Sequence, residues 1–243
     1  MFNHLKRCFI FLLSLAVLFS SVQGLSQTNQ KAYSDDQVTF IENKGQVTDQ
    51  SGNSRRDIQF KVPGNGVSVV VGNGKVYYQF HKLETKQKQF NKHPNGFAEV
   101  PDTTPARYEM YRLDMALQGT NPHPEVIASE KHAYNENYHT TSLHTDSSFL
   151  RTYGRITYKN IYPHIDWTLY IKNNKLEYDF IVHPGGDVTD IKIKYNGATN
   201  IAQANGDIQL TTPMGRVTEQ QLYTYEKESN TPVISHFALN ENT

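Results

Sequence analysis

The sequence predicts an all-β fold: an antiparallel, two-layer, β-sandwich-like domain with long loops, set behind an N-terminal signal peptide. Tyr 15 and Phe 12 far outnumber Trp 1 and Met 4, a usage that suits pleated sheets better than packed helices. No long stretch carries apolar residues at helical spacing, whereas alternating runs recur, separated by Asn-Gly, Gly-Asn-Gly, Asn-Asn and Pro-Gly-Gly. Short strands with one apolar face need a second layer to cover that face, hence the sandwich.

The N-terminal segment comes first in order. Lys6 and Arg7 precede the uncharged run Cys8 to Phe19, CFIFLLSLAVLF, and small residues follow from Ser20 to Gly24. That pattern is a secretory signal peptide over residues 1–24, cleaved after Gly24. The apolar run is too short for a permanent membrane span, which needs roughly 20 residues. Cys8 stands before the apolar run, so it cannot be a lipidated lipoprotein cysteine. Cleavage removes the one Cys of the chain and leaves 22 basic against 24 acidic residues. An exported domain without disulfides depends on its core alone. Residues 25–37 are Gln, Ser, Asn and Asp-rich with little to bury, and are expected as a disordered lead-in.

The β domain is placed at 38–243. Val67 to Val71 and Val76 to Phe80 flank Gly72-Asn73-Gly74-Lys75 and form a first hairpin, with Val76, Tyr78 and Phe80 on one face. Lys82 to Ala106 is polar and aperiodic and is expected as an extended loop. Tyr111, Leu113, Met115 and Leu117 alternate with polar or small residues, giving a strand with one dry face. Val233 to Leu239 reads as a final strand without a partner, from which a fragment or truncated C-terminal end is expected.

The most informative stretch is Ile165 to Val182. A two-residue turn at Asn173-Asn174 pairs Lys172 with Lys175, Ile171 with Leu176, Leu169 with Tyr178, Trp167 with Phe180 and Ile165 with Val182. Every large apolar group then falls on one face. The other face receives Asp166, Thr168 and Tyr170 from one strand, and Glu177, Asp179 and Ile181 from its neighbour. Asp166, Tyr170, Glu177 and Asp179 are therefore the candidate ligand or ion contacts. Carboxylates two apart on a strand lie about 6.5 to 7 Å apart and could bridge a hard cation or sugar hydroxyls. The plainer reading is a solvated or partly covered sheet face whose acids meet Lys and Arg from an adjacent strand. Tyr162 and Tyr223, with Tyr170, are the candidate aromatic platform for a sugar.

Other chemistry has weak support. His123, His132, His139 and His144 cluster in sequence, but no tight ligand pair is present, so no metal or other cofactor is expected. No GxSxG elbow occurs, and the Gly-Asn-Gly pieces lie between strands rather than before a helix. No catalytic residue is assigned. Lys+Arg 24 against Asp+Glu 24 leaves no basic footprint for nucleic acid.

FIENKGQ at Phe40 to Gln46, NYH at Asn137 to His139, YGRITYKNIYPHIDWTLY at Tyr153 to Tyr170 and LEYDFIVHPGGD at Leu176 to Asp187 resemble the uncharacterised N-terminal domain that precedes SBBP β-propeller repeats in bacterial cell-surface proteins. The resemblance covers the chain from about Val38 onward. It implies an exported, surface-associated protein of adhesin or S-layer-like character, often from Bacteroidota-type bacteria with gliding and sorting modules, with β repeats downstream. Two departures stand out: the family pattern usually has Gly at the place of His164, and often Trp at that of Phe149.

Two function classes follow. The first is a non-catalytic structural or adhesion module, extracellular or on the outer cell surface, with other envelope proteins as partners. The second is a glycan-binding module using exposed Tyr beside the acidic face. A secreted hydrolase is a weaker third, because paired carboxylates do glycosidic chemistry only across a cleft.

Overall fold

The computed structural model describes residues 9–16, 38–64, 66–83, 90–93, 96–99, 107–136 and 149–240. The expected lead-in at 25–37 lies outside them. Strands occupy almost all of the regular structure: β1 (Phe9–Ala16), β2 (Phe40–Glu42), β3 (Ile58–Val62), β4 (Val67–Gly72), β5 (Lys75–Leu83), β6 (Phe90–His93), β7 (Gly96–Glu99), β8 (Tyr108–Leu117) and β9 (Glu125–Glu136) come first. The second half holds β10 (Leu150–Tyr162), β11 (Ile165–Lys172), β12 (Lys175–Val182), β13 (Ile193–Asn196), β14 (Asn200–Ala204), β15 (Asp207–Thr212), β16 (Gly215–Glu219), β17 (Tyr223–Glu226) and β18 (Pro232–Val233). Every strand pairing among the described residues is antiparallel.

One long ladder runs β13-β8-β5-β4-β3-β2-β10-β11-β12-β1-β16-β15-β14, with β9 beside β10 and β17–β18 beside β1. The ladder curls until its inner faces meet. The larger of two hydrophobic clusters among the described residues joins Val76, Tyr78 and Phe80 of β5, Leu113 and Met115 of β8, Trp167 and Leu169 of β11, Tyr178 and Phe180 of β12, and Val217 of β16. This gives the expected antiparallel all-β architecture its second layer: the sheet covers itself.

Both hairpins read from sequence form, and the second takes its expected register. Gly72 faces Lys75 across Asn73-Gly74. Lys172 faces Lys175, and each pair from Ile171–Leu176 to Ile165–Val182 follows. Asn173 and Asn174 both hold positive φ, 51° and 57°, the backbone that matches a two-residue turn to twisted strands. Trp167 is fully buried and stacks on Phe180 at 6.4 Å.

Two expectations need correction. The stretch expected as one loop from Lys82 to Ala106 has regular structure: β5 continues to Leu83, and β6 and β7 pair as a separate hairpin. Polar strands lack the apolar alternation by which strands are read. Val233 to Leu239 is not a strand beyond Val233. Phe237 instead packs singly against the core, and Ile234 is 98% exposed. A further feature has no counterpart in the sequence reading: Phe9–Ala16, inside the segment read as a cleaved leader, forms β1 in the middle of the ladder.

Candidate ligand-contact face

The four candidate acidic-face residues occupy one side of β11 and β12, as the register requires, but they divide into two groups with different surroundings. Asp166 belongs to a bulge. Between Tyr158 and Tyr162, β10 carries three residues where β11 carries only Asp166 between Trp167 and Ile165. The additional residues include Asn160 at φ 49° and turn Ile161 into the interior. Such an insertion leaves backbone groups unpaired, and Asp166 supplies an acceptor. Its Oδ1 takes the Asn160 N–H at 2.8 Å, while Oδ2 takes the Lys159 ammonium and lies 2.8 Å from His183 Nε2. With 2% exposure, Asp166 is no part of a wet surface. Burial opposes its charge, yet Lys159, His183 and the Asn160 N–H together hold its carboxyl below the usual range.

Tyr170, Glu177 and Asp179 form the second group. The Tyr170 hydroxyl donates to Asp179 Oδ1 at 3.0 Å. Arg155 of β10 lies over the Tyr170 ring, 4.7 Å from its centre, and its Nε donates to Glu130 Oε1 at 2.8 Å. Lys172 approaches Glu177 at 3.6 Å. Burial pushes the Asp179 carboxyl up to about 6, against the lowering influence of the Tyr170 hydroxyl and Arg155. The partly covered reading of this face describes it better than the solvated one, because Tyr170 is buried and both acids are half-buried.

The aromatic platform changes in membership. Tyr162 is only 2% exposed, its ring turned into the core by the bulge. It cannot present a face to a sugar. Tyr223 is 53% exposed, and its ring lies 5.7 Å from that of Tyr225 at 38°. Tyr225 stands two residues further along β17, and burial followed by the Asp179 charge raises its hydroxyl. Position 12 of β1 is opposite both Asp179 and Tyr223, so the acid and the exposed ring belong to one continuous side of the sheet. Tyr225 was not anticipated, although its spacing of two from Tyr223 was visible.

A further acid sits in the core. Glu219 at the end of β16 is 1% exposed, and the Tyr178 hydroxyl donates to its Oε2 at 2.9 Å. Burial pushes it up to about 7, with the Tyr195 and Tyr178 hydroxyls acting the other way. Its Oε1 and the nearby Tyr78 hydroxyl have no hydrogen-bond partner among the described residues. The available signal was parity, since Glu219 shares its strand face with the core residue Val217. Among the described residues no group of three His, Cys, Asp or Glu could hold a metal. His139 and His144 lie outside those residues. No helix of the described residues is long and apolar enough to cross a membrane.

The curled antiparallel sheet and its half-covered acidic side define a β module with a structurally braced polar face. The chain belongs to the family described as Domain of unknown function (DUF7948), whose model matches residues 40–243. Comparison with curated proteins and with solved structures finds no match.

One departure from the resembled pattern has a local explanation. His164 occupies positive φ, 60°, directly after Pro163 in the β10–β11 turn. Glycine adopts that backbone without the Cβ conflict that other residues pay. The turn is also pressed from outside, because a Cβ on Gly186 would come within 2.9 Å of the His164 carbonyl oxygen. The Gly185-Gly186 pair thus lets the loop after β12 close over the turn.

Proposed function

We propose that this chain is an exported, non-catalytic structural or adhesion module of a bacterial cell-surface protein, of the kind that precedes SBBP repeats. The observation that carries the reading is the commitment of its most chemically loaded residues to internal contacts. Asp166 braces a bulge, Asp179 accepts from Tyr170, and Arg155 stacks on Tyr170 and pairs with Glu130. Groups held in this way stiffen a sheet and lack the free, opposed arrangement that acid–base chemistry uses. Expression of the full chain in a bacterial host, followed by protease shaving of intact cells, tests it. Recovery of the domain from the outer surface supports the reading; retention in the cytoplasm refutes it.

The second reading, glycan binding, is favoured by the Tyr223–Tyr225 ring pair on the same side of the sheet as Asp179, one strand away from it. Rings within reach of carboxylates offer stacking and hydroxyl contacts together. A glycan array on the exported protein decides it: binding lost in Tyr223→Ala with unchanged melting supports it, and an array without signal removes it.

A further inference from the structure

Strand β1 holds an unusual place. It pairs β12 through Phe9–Val182 to Ser14–Glu177, β17 through Phe9–Glu226 to Leu12–Tyr223, and β16 at Leu15–Glu219 and Ala16–Thr218. Among the described residues no other strand pairing links β14–β15–β16 or β17–β18 to the rest of the ladder. Yet β1 lies within the uncharged run that the sequence marks as a leader removed on export.

Removal would leave a slot bordered by β12 and β17. Both run antiparallel to β1 and therefore parallel to each other. Flanking strands stand two inter-strand spacings apart, about 10 Å, which one further strand fills. The borders would expose unpaired N–H and C=O groups, and the core positions Tyr178, Phe180 and Val182 would lose the residues level with them.

From this we infer that the exported module is a strand acceptor: the slot between β12 and β17 takes an extended segment of a partner polypeptide by β-strand addition. The borders specify its chemistry. Positions 9, 11 and 13 stand level with the core residues Val182, Phe180 and Tyr178, so the partner strand needs apolar groups at alternate positions. The residues directly opposed to β1 include Glu177, Asp179, Glu219 and Glu226 and no Lys or Arg. Acidic side chains in the incoming strand are therefore disfavoured. The chain's own Val233–Leu239 is a poorer occupant, because Phe237 is packed against the core and its carbonyl accepts from Gln203. Seating a strand would also rejoin Asp179 to Tyr223 across the polar side.

The inference rests on export of the module and removal of its leader, and the test separates the two. Exported protein is first weighed by mass spectrometry. Residues 1–24 still present would overturn both the leader reading and the acceptor reading, since β1 then fills the slot. With the leader gone, the probe is a synthetic peptide of the Phe9–Ala16 sequence with lysines added at both ends for solubility. Within residues 177–182 and 223–226, the alternate amides that face β1 are expected to exchange freely in the protein alone and to become protected when the peptide binds, while those bonded to β11 and β18 stay protected throughout. Replacing the peptide residues that correspond to Phe11 and Leu13 by Asp should weaken binding by about a hundredfold or more. Protection without peptide in a monomer would mean that β12 and β17 have closed on each other or captured Val233–Leu239. Protection without peptide in a dimer would mean that a second copy supplies the strand. Each of these results, or failure of the peptide to bind, overturns the inference.

Discussion

Replacing Glu219 by Gln should make this protein more stable at pH 8 and remove much of the dependence of its stability on pH. The carboxyl is fully buried, held up to about 7 against an ordinary 4.5, and its Oε2 accepts from the Tyr178 hydroxyl while Oε1 goes without a partner among the described residues. In the unfolded chain the same group ionises freely in water. Between pH 4.5 and about 7 the folded state therefore binds the extra proton, and stability falls as pH rises through that window before levelling above it. A shift of that size at about 1.4 kcal/mol per pH unit corresponds to about 3 kcal/mol. The side-chain amide of the Glu219→Gln variant keeps an acceptor for Tyr178 but carries no charge to desolvate. Urea denaturation of the full chain and of Glu219→Gln, each at pH 5 and pH 8, measures the difference. The parent should lose stability between the two pH values and the variant much less, Asp179 supplying a smaller slope of the same sign. An unchanged slope in Glu219→Gln would refute the assignment of a buried, proton-binding carboxylate.

Further outcomes follow from the other contacts. Trp167→Ala empties a fully buried ring position between Tyr158 and Phe180 and should cost about 3 to 5 kcal/mol in denaturant titration. Asp166→Ala strips the bulge of its acceptor and leaves Lys159 and His183 without their shared carboxylate; it should cost about 2 to 3 kcal/mol at pH 7. Because the Asp166 carboxyl is depressed, the charge-linked part of that difference should persist above its ordinary 3.8 and shrink as pH falls further, through its lowered folded value. His164→Gly relieves a positive φ and should raise stability by up to about 1 kcal/mol, read as a higher thermal midpoint. Asp179→Asn preserves the acceptor for Tyr170 and should be neutral or stabilising at pH 8, because the parent carboxylate is charged there against burial.

Legibility from sequence divided along physical lines. The β11–β12 register was readable because a two-residue turn with a strict side-chain period admits one alignment that gathers Trp167, Leu169, Tyr178 and Phe180 on one face. The core face of β8 was readable for the same reason. Polar strands such as β6 and β7 were not, since alternation is informative only where one face is apolar. The candidate acids fell on the correct side of the sheet, and the expectation that they meet Lys and Arg from an adjacent strand agrees with Lys159 at Asp166 and Arg155 near Asp179; which acid is buried and which half-buried was not legible, because exposure depends on neighbouring strands. Lys159 and Arg155 arrive from β10, and Tyr225 from β17, none of them predictable from the hairpin itself.

By itself the sequence determined the fold class, the hairpin turns and the inward set of aromatic residues, because these follow from local backbone preference and a period of two. Tertiary structure alone decided how the sheet curls so that Tyr78 and Glu219 share one interior, and that a bulge turns Ile161 and Tyr162 inward and Asp166 into its brace. It also decided that Phe9–Ala16 sits between β12 and β17. Those outcomes depend on which distant strands become neighbours, and pairing between segments far apart in the chain leaves no mark in the local period of either partner.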